Sequence, residues 1–204
     1  MQTIDVRAET VERVVEEVAA VILGGGVVIF PTDTVYGIGC DPSRLEAVER
    51  IFELKDRPRD KPLALHLAGV AEFLEYTADN LRARKLARAF LPGPLTVIVR
   101  RPTFVDAGVT AGLGSIGLRV PDHQLCTQLL ERCGPFAATS ANFSGRAAYT
   151  GRESSFDLPP ADLFVDAGPA PHGIESTVID VSQHEARLIR EGAVPFARIF
   201  ATLI

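Results

Sequence analysis

The chain has no tryptophan, a single methionine and only three cysteines in 204 residues. Cys40, Cys126 and Cys133 are an odd number without metal-ligand spacing. That fits a reducing compartment better than a disulfide framework, with the thiols read as packing residues. Long apolar runs are also missing. The most apolar stretches, 27–30 and 94–99, fall far short of the roughly 20 residues that cross a bilayer, so no membrane partner is expected. Met1-Gln2-Thr3-Ile4-Asp5 lacks the basic and then apolar regions of a secretory signal, which makes the cytoplasm the expected compartment. There is no G-x-x-x-x-G-K-[ST] loop, no G-x-S-x-G elbow and no His/Cys cluster for a resident metal. Net positive charge is absent too. A formal charge of −5 argues against a protein that binds nucleic acid over its whole surface, so any polyanion site must be local.

What is present reads as a globular α/β chain: 47% of residues are apolar, and glycine and proline are spread along the length. The length and the lack of an internal linker favour one domain over residues 1–204. Val11, Val14, Val15, Val18, Ala19 and Ile22 recur at helical spacing, with Thr10 placed to cap the start and Gly24-Gly25-Gly26 to end it. The β-branched run at 27–30 suits a strand buried on both faces. Ser43 with Glu46 reads as a capping box for a second helix that buries Leu45, Val48, Ile51 and Phe52 and delivers Lys55 in its last turn. Two short helices are expected within 70–90 and one over 122–132. Strands are expected at 63–67, 95–100, 116–120, 136–139, 163–165, 177–181 and 187–189. Strands and helices do not alternate regularly, so the fold class is α/β with a twisted mixed sheet, parallel and antiparallel, and flanking helices.

Three segments and two later positions hold residues that can carry chemistry. Residues 31–39, PTDTVYGIG, follow a buried strand and combine hydroxyls with glycines that let a ligand approach the backbone; the same composition also serves an ordinary turn. Residues 55–62, KDRPRDKP, place four cations and two carboxylates in eight positions. Prolines 58 and 62 hold the segment extended, so several cations can enter one cavity, with a triphosphate as the natural partner; a solvated charged loop is the competing reading. His66 lies on the strand face opposite Leu65 and Leu67, where it can meet a carboxylate or hydroxyl or serve as a structural imidazole. Residues 138–145, ATSANFSG, offer hydroxyls, an amide and backbone donors for phosphate oxygens. Ser176 and Arg190 flank two late strands and can converge on the same place.

In order and spacing, PTDTVYG at 31–37, KDRPRDKPLALH at 55–66, TSANFSG at 139–145, and STVID at 176–180 followed by Arg190 resemble the YrdC/TsaC family over almost the whole chain. The resemblance implies a twisted α/β fold with a large basic cavity. It also implies a nucleotidyltransferase that makes threonylcarbamoyl-AMP and pyrophosphate from L-threonine, bicarbonate or CO2, and ATP with Mg2+. The product would pass to a threonylcarbamoyl transferase complex that modifies A37 of tRNAs reading ANN codons. On the same basis Thr34, His66, Arg119 and Ser176 are expected to hold threonine. Lys55, Arg57, Ser140, Asn142 and Arg190 are expected to hold ATP, with Lys55 and Arg57 offsetting charge in the transition state and no metal held by the protein itself. Two positions depart from the family pattern: Lys61 stands where Asn is frequent, though it can still bind phosphate as a cation, and Ala148 stands where Ser is frequent. The end at Ile204 matches the short, single-domain form. Competing expectations are a related protein that binds AMP without making the adenylate and a non-catalytic RNA-binding module. A weak RNA contact is also compatible with a basic cavity.

Overall fold

The structure, a computed structural model, describes residues 1–77, 79–153 and 156–204. Along the chain the elements are β1 (Gln2–Asp5), α1 (Val11–Leu23), β2 (Val28–Phe30), β3 (Gly37–Cys40), α2 (Leu45–Lys55), β4 (Ala64–His66), α3 (Val70–Tyr76), α4 (Leu81–Phe90), β5 (Leu95–Arg100), β6 (Ser115–Arg119), α5 (Gln124–Cys133), β7 (Phe136–Ser140), β8 (Leu163–Asp166), β9 (Thr177–Asp180), β10 (Arg187–Arg190) and α6 (Phe196–Leu203). The expected strands and helices are all present, the pair within 70–90 becoming α3 and α4 on either side of position 78, which lies outside the described residues. Among the described residues no helix is long and apolar enough to cross a membrane.

Local chemistry explains most element ends. Thr10 Oγ1 accepts from the Arg13 amide at 3.3 Å, the cap expected for α1. The capping box expected for α2 does not form. Ser43 is drawn back instead, its amide and hydroxyl both donating to Asp41 Oδ1 at 2.8 and 2.7 Å, and α2 begins at Leu45 without a side-chain cap. Three elements lie outside the sequence expectations: β1, β3 and α6. The unexpected β3 overlaps the segment read as a ligand loop. Its glycines also serve packing: a Cβ on Gly37 would sit 2.8 Å from the tip of the Phe30 ring.

The ten strands among the described residues form one sheet in the order β1-β8-β2-β3-β7-β4-β6-β5-β9-β10. It is mixed, as expected: β1/β8, β2/β8, β4/β6 and β5/β9 are parallel pairs, and β2/β3, β3/β7, β4/β7, β5/β6 and β9/β10 antiparallel. Alternation along each strand divides the core in two. Val28 and Phe30 face a layer with Val14, Val18 and Ile22 of α1 and Leu125, Leu129 and Leu130 of α5, while Ile29, Ile38, Leu65, Val97 and Leu118 face the layer under α2 and α4.

The α1/α5 layer draws its strand residues from β1, β2, β7 and β8. Pairing of Ala64 with Ala138 and Gly117, and of His66 with Phe136 and Arg119, continues the same sheet face across β4 and β6 beyond those two helices. One half of this face is thus packed by helices, and the other half floors a cavity. Leu129→Ala, in the packed half, should lower the unfolding free energy by about 2–5 kcal/mol. Denaturant titration checks this, and an unchanged midpoint would show that α5 is not seated as described.

Candidate active site

The uncovered half of the sheet bears a cavity of about 730 Å³. Its floor is made of small side chains, Ala64, Gly117 and Ala138, and a Cβ on Gly117 would press to 3.3 Å against both Ala64 and Thr96. All ten residues singled out from the sequence, Thr34, Lys55, Arg57, Lys61, His66, Arg119, Ser140, Asn142, Ser176 and Arg190, line this one space. They come from five separated stretches of chain, and the strand order brings them together.

The inner end is the more buried. The turn after β2 is knotted by Thr32, whose Oγ1 donates to the Val35 carbonyl at 2.6 Å and accepts from the Thr34 amide at 3.2 Å. With that proton committed, Thr34 is the donor in the 3.1 Å contact between the two hydroxyls, which leaves Thr34 Oγ1 as an acceptor. The same turn places Asp33 beneath β6, where Arg119 Nη2 donates to Asp33 Oδ1 at 2.6 Å. This ion pair is buried, with side-chain exposures of 6% and 2%. Asp33 was part of a recognised motif but was not among the expected site residues; its partner lies 86 positions away, a relation that no local pattern shows.

Three buried polar atoms here lack a hydrogen-bond partner among the described residues: Asp33 Oδ2, Arg119 Nε and His66 Nδ1. His66 meets Phe30 edge-on at 5.9 Å. Burial, aided by the Arg119 charge, pushes its pKa down to about 3, so the imidazole is neutral at physiological pH. Burial also lowers the Arg119 pKa, with Asp33 opposing it. Ser176 Oγ lies 2.9 Å from Thr96 Oγ1, a second lining hydroxyl that the sequence reading passed over.

The outer end carries the exposed cations. Arg57 Nε and Nη2 donate to the carbonyls of Lys61 and Pro62 at 2.7 and 3.0 Å, leaving Nη1 without a partner among the described residues. Burial, followed by the nearby Arg190 charge, lowers the Arg57 pKa. Arg190 donates to the Ser176 carbonyl through Nη2 at 3.0 Å and pairs with Glu175 at 2.6 Å. Of the four cations of 55–62, three line this cavity and Arg59 does not. Its guanidinium pairs with Glu49 and lies 5.0 Å over the Phe52 ring, lining a separate groove. Lys55 turns to the chain itself: its Nζ donates to the Ser140 and Asn142 carbonyls. Arg146 also lines the cavity, so the lining holds Lys55, Arg57, Lys61, Arg119, Arg146 and Arg190 against Asp60 and Glu175. Ala148, one of the two departures noted in the sequence, is not part of the lining.

Comparison with known proteins agrees with this arrangement. A family model named for Sua5, YciO and YrdC, and described as "Telomere recombination", matches residues 20–192. The threonylcarbamoyl-AMP synthase of Pyrococcus abyssi is 37% identical over 96% of this chain and 59% of its own length. That of Bacillus subtilis is 37% identical over 93% of this chain and 56% of its own length. The chain therefore spans somewhat over half the length of these curated relatives. The crystal structure of P. abyssi Sua5 complexed with L-threonine superposes with a TM-score of 0.87 at 36% identity, covering 99% of this chain and 60% of that one. A family model that covers most of the chain, and a shared fold at this identity, place the chain in the Sua5/YciO/YrdC family.

Proposed function

We propose that the protein is a threonylcarbamoyl-AMP synthase, joining L-threonine, bicarbonate or CO2, and ATP into threonylcarbamoyl-AMP and pyrophosphate. One observation carries the reading. A single cavity presents buried polar atoms without partners at its inner end and cations with donors to spare at its outer end. The inner end fits an amino acid: Arg119 Nε and neutral His66 suit a carboxylate or hydroxyl, Thr34 Oγ1 accepts, and Ser176 lies alongside. The outer end fits a triphosphate, with Arg57, Lys61, Arg190 and the turn bearing Ser140 and Asn142 around it. The names of the two curated relatives, and the L-threonine in the P. abyssi structure, support the same assignment.

The chemistry asks little of a general base. Threonine's neutral amine takes up CO2 and loses a proton to give a carbamate, whose oxygen attacks the α-phosphorus of ATP. An O–P bond forms, the bond to the bridging oxygen breaks, and pyrophosphate leaves with the electron pair. The protein must align the carbamate and balance charge on the phosphoryl oxygens, tasks suited to Arg57 and Arg190. The donor set does not fit a magnesium ion held by the protein. Among the described residues no three His, Cys, Asp or Glu side chains cluster, and of the two lining carboxylates Glu175 is paired with Arg190. Mg2+ in this reading arrives on the phosphates as part of the nucleotide substrate. The labile product would pass to a threonylcarbamoyl transferase complex acting on A37 of tRNA, a role that fits a cytoplasmic protein.

Purified protein given MgATP should release pyrophosphate only when L-threonine and bicarbonate are both added. Nucleotide binding without such release would overturn the synthase assignment. Arg57→Ala should reduce that release by about 100-fold or more, and His66→Ala should raise the KM for threonine by about tenfold with less effect on ATP. The reverse pattern for His66 would move it to the nucleotide. His66 also sets an acid limit on stability. Its folded pKa of about 3 lies below the ordinary 6.5. Its contribution is therefore complete above pH 6.5 and is lost as pH falls from there toward 3. His66→Gln should flatten the stability-against-pH curve below pH 6.5, as read by thermal unfolding across a pH series; an unchanged slope would show that His66 does not titrate as described.

A further inference from the structure

Lys55 has exhausted its hydrogen-bonding capacity inside the protein. It closes α2 with 1% of its surface exposed. Its Nζ donates to three oxygens, the carbonyls of Ser140 and Asn142 and, at 3.3 Å, Asn142 Oδ1. An ammonium has three donors and no acceptor, so none is left for a phosphate. The main chain repeats the attachment, the Ser144 amide donating to the Lys55 carbonyl at 2.9 Å.

Asn142 is committed in the same way. Its Oδ1 also accepts from Ser140 Oγ at 2.6 Å, and its Nδ2 donates to the Phe143 and Arg146 carbonyls at 3.0 and 2.7 Å. Lys55, Ser140 and Asn142 thus knit one turn together. The turn leaves a buried hydroxyl, Ser144 Oγ, without a partner, and Ser144 lines the cavity. Arg57, two residues beyond Lys55, is the contrasting case, since its Nη1 is uncommitted among the described residues.

We propose that Lys55 is a positioning residue: its ammonium holds residues 140–144 against the end of α2, and it promotes nucleotide binding through that turn without touching the phosphates. This rests on the reading of the outer cavity as a nucleotide site. Burial, and then the Arg57 charge, press the Lys55 pKa down to about 7, while three surrounding oxygens favour the charged form. The charged groups facing the ammonium are Arg57, which disfavours it, and Glu175, which favours it.

The test is hydrogen exchange on the nucleotide-free protein, paired with calorimetric MgATP binding, for wild type, Lys55→Met and Arg57→Ala. Lys55→Gln, which keeps two donors, is the second variant should Lys55→Met fail to fold. In the Lys55 variant, exchange of the 141–144 amides should quicken about tenfold or more and the MgATP Kd should rise about tenfold. Arg57→Ala should weaken MgATP binding while leaving the exchange of the turn unchanged. Weaker binding with unchanged exchange in the Lys55 variant would make Lys55 a direct phosphate ligand, and faster exchange with unchanged binding would make it merely structural; either overturns the proposal. A wild type that binds no MgATP would overturn the nucleotide reading itself, and the exchange data would still report whether Lys55 holds the turn.

Discussion

The site is organised by the burial of the Arg119 guanidinium. An unpaired charge at that depth would cost several kcal/mol, so the fold must supply a counter-ion at a defined place. Asp33 supplies it at 2.6 Å, and the turn that carries Asp33 is held by Thr32. The pair links the strand leaving one part of the sheet to the turn following another, and in doing so fixes where Thr34, His66 and Arg119 stand relative to one another. Removing either partner would strand the other in a low-dielectric region, at a cost of about 3–5 kcal/mol.

The cavity follows from an asymmetry in the sheet. Both faces of β2 are packed by apolar side chains, as its β-branched composition requires. At β4 and β6 the same face carries Ala64, His66, Gly117 and Arg119 and lines the cavity. Small residues there keep the floor open, and the two polar ones are those whose hydrogen bonding is incomplete. Unmet polar capacity is concentrated where packing stops, which is the physical signature of a surface awaiting a polar ligand.

Much of this was legible along the chain wherever the signal was local. Period-two alternation correctly set His66 on the face opposite Leu65, and helical spacing brought Lys55 to the last turn of α2. Local patterns failed where a long-range partner decided the outcome. Gly39 reads as ligand access, yet it makes room for the Phe30 ring across the pairing of β2 with β3 and does not line the cavity. Ser43 fits a capping box by spacing, but Asp41 captures its hydroxyl first. Asp33 sat in full view within a motif, and its role became visible only once Arg119 of β6 was set beside it.

The charged segment after α2 shows most clearly what residue order cannot specify. Four cations at alternate positions suggest a common direction, but the backbone does not run straight. Asp56 takes a positive φ of 52°, a left-handed turn that ends the helix and lets the Arg57 amide return to the Phe52 carbonyl at 2.8 Å. That turn separates residues that alternation would have grouped. Lys55, still helical, points into the 140–144 turn; Arg57 and Lys61 line the cavity; Arg59 goes to Glu49 and Phe52 on the far side. One left-handed residue thus parts a single run of charge into a buried amine, a cavity-lining pair and a surface ion pair, and the spacing of Lys55 and Arg57 lets the two side chains leave the same turn in different directions.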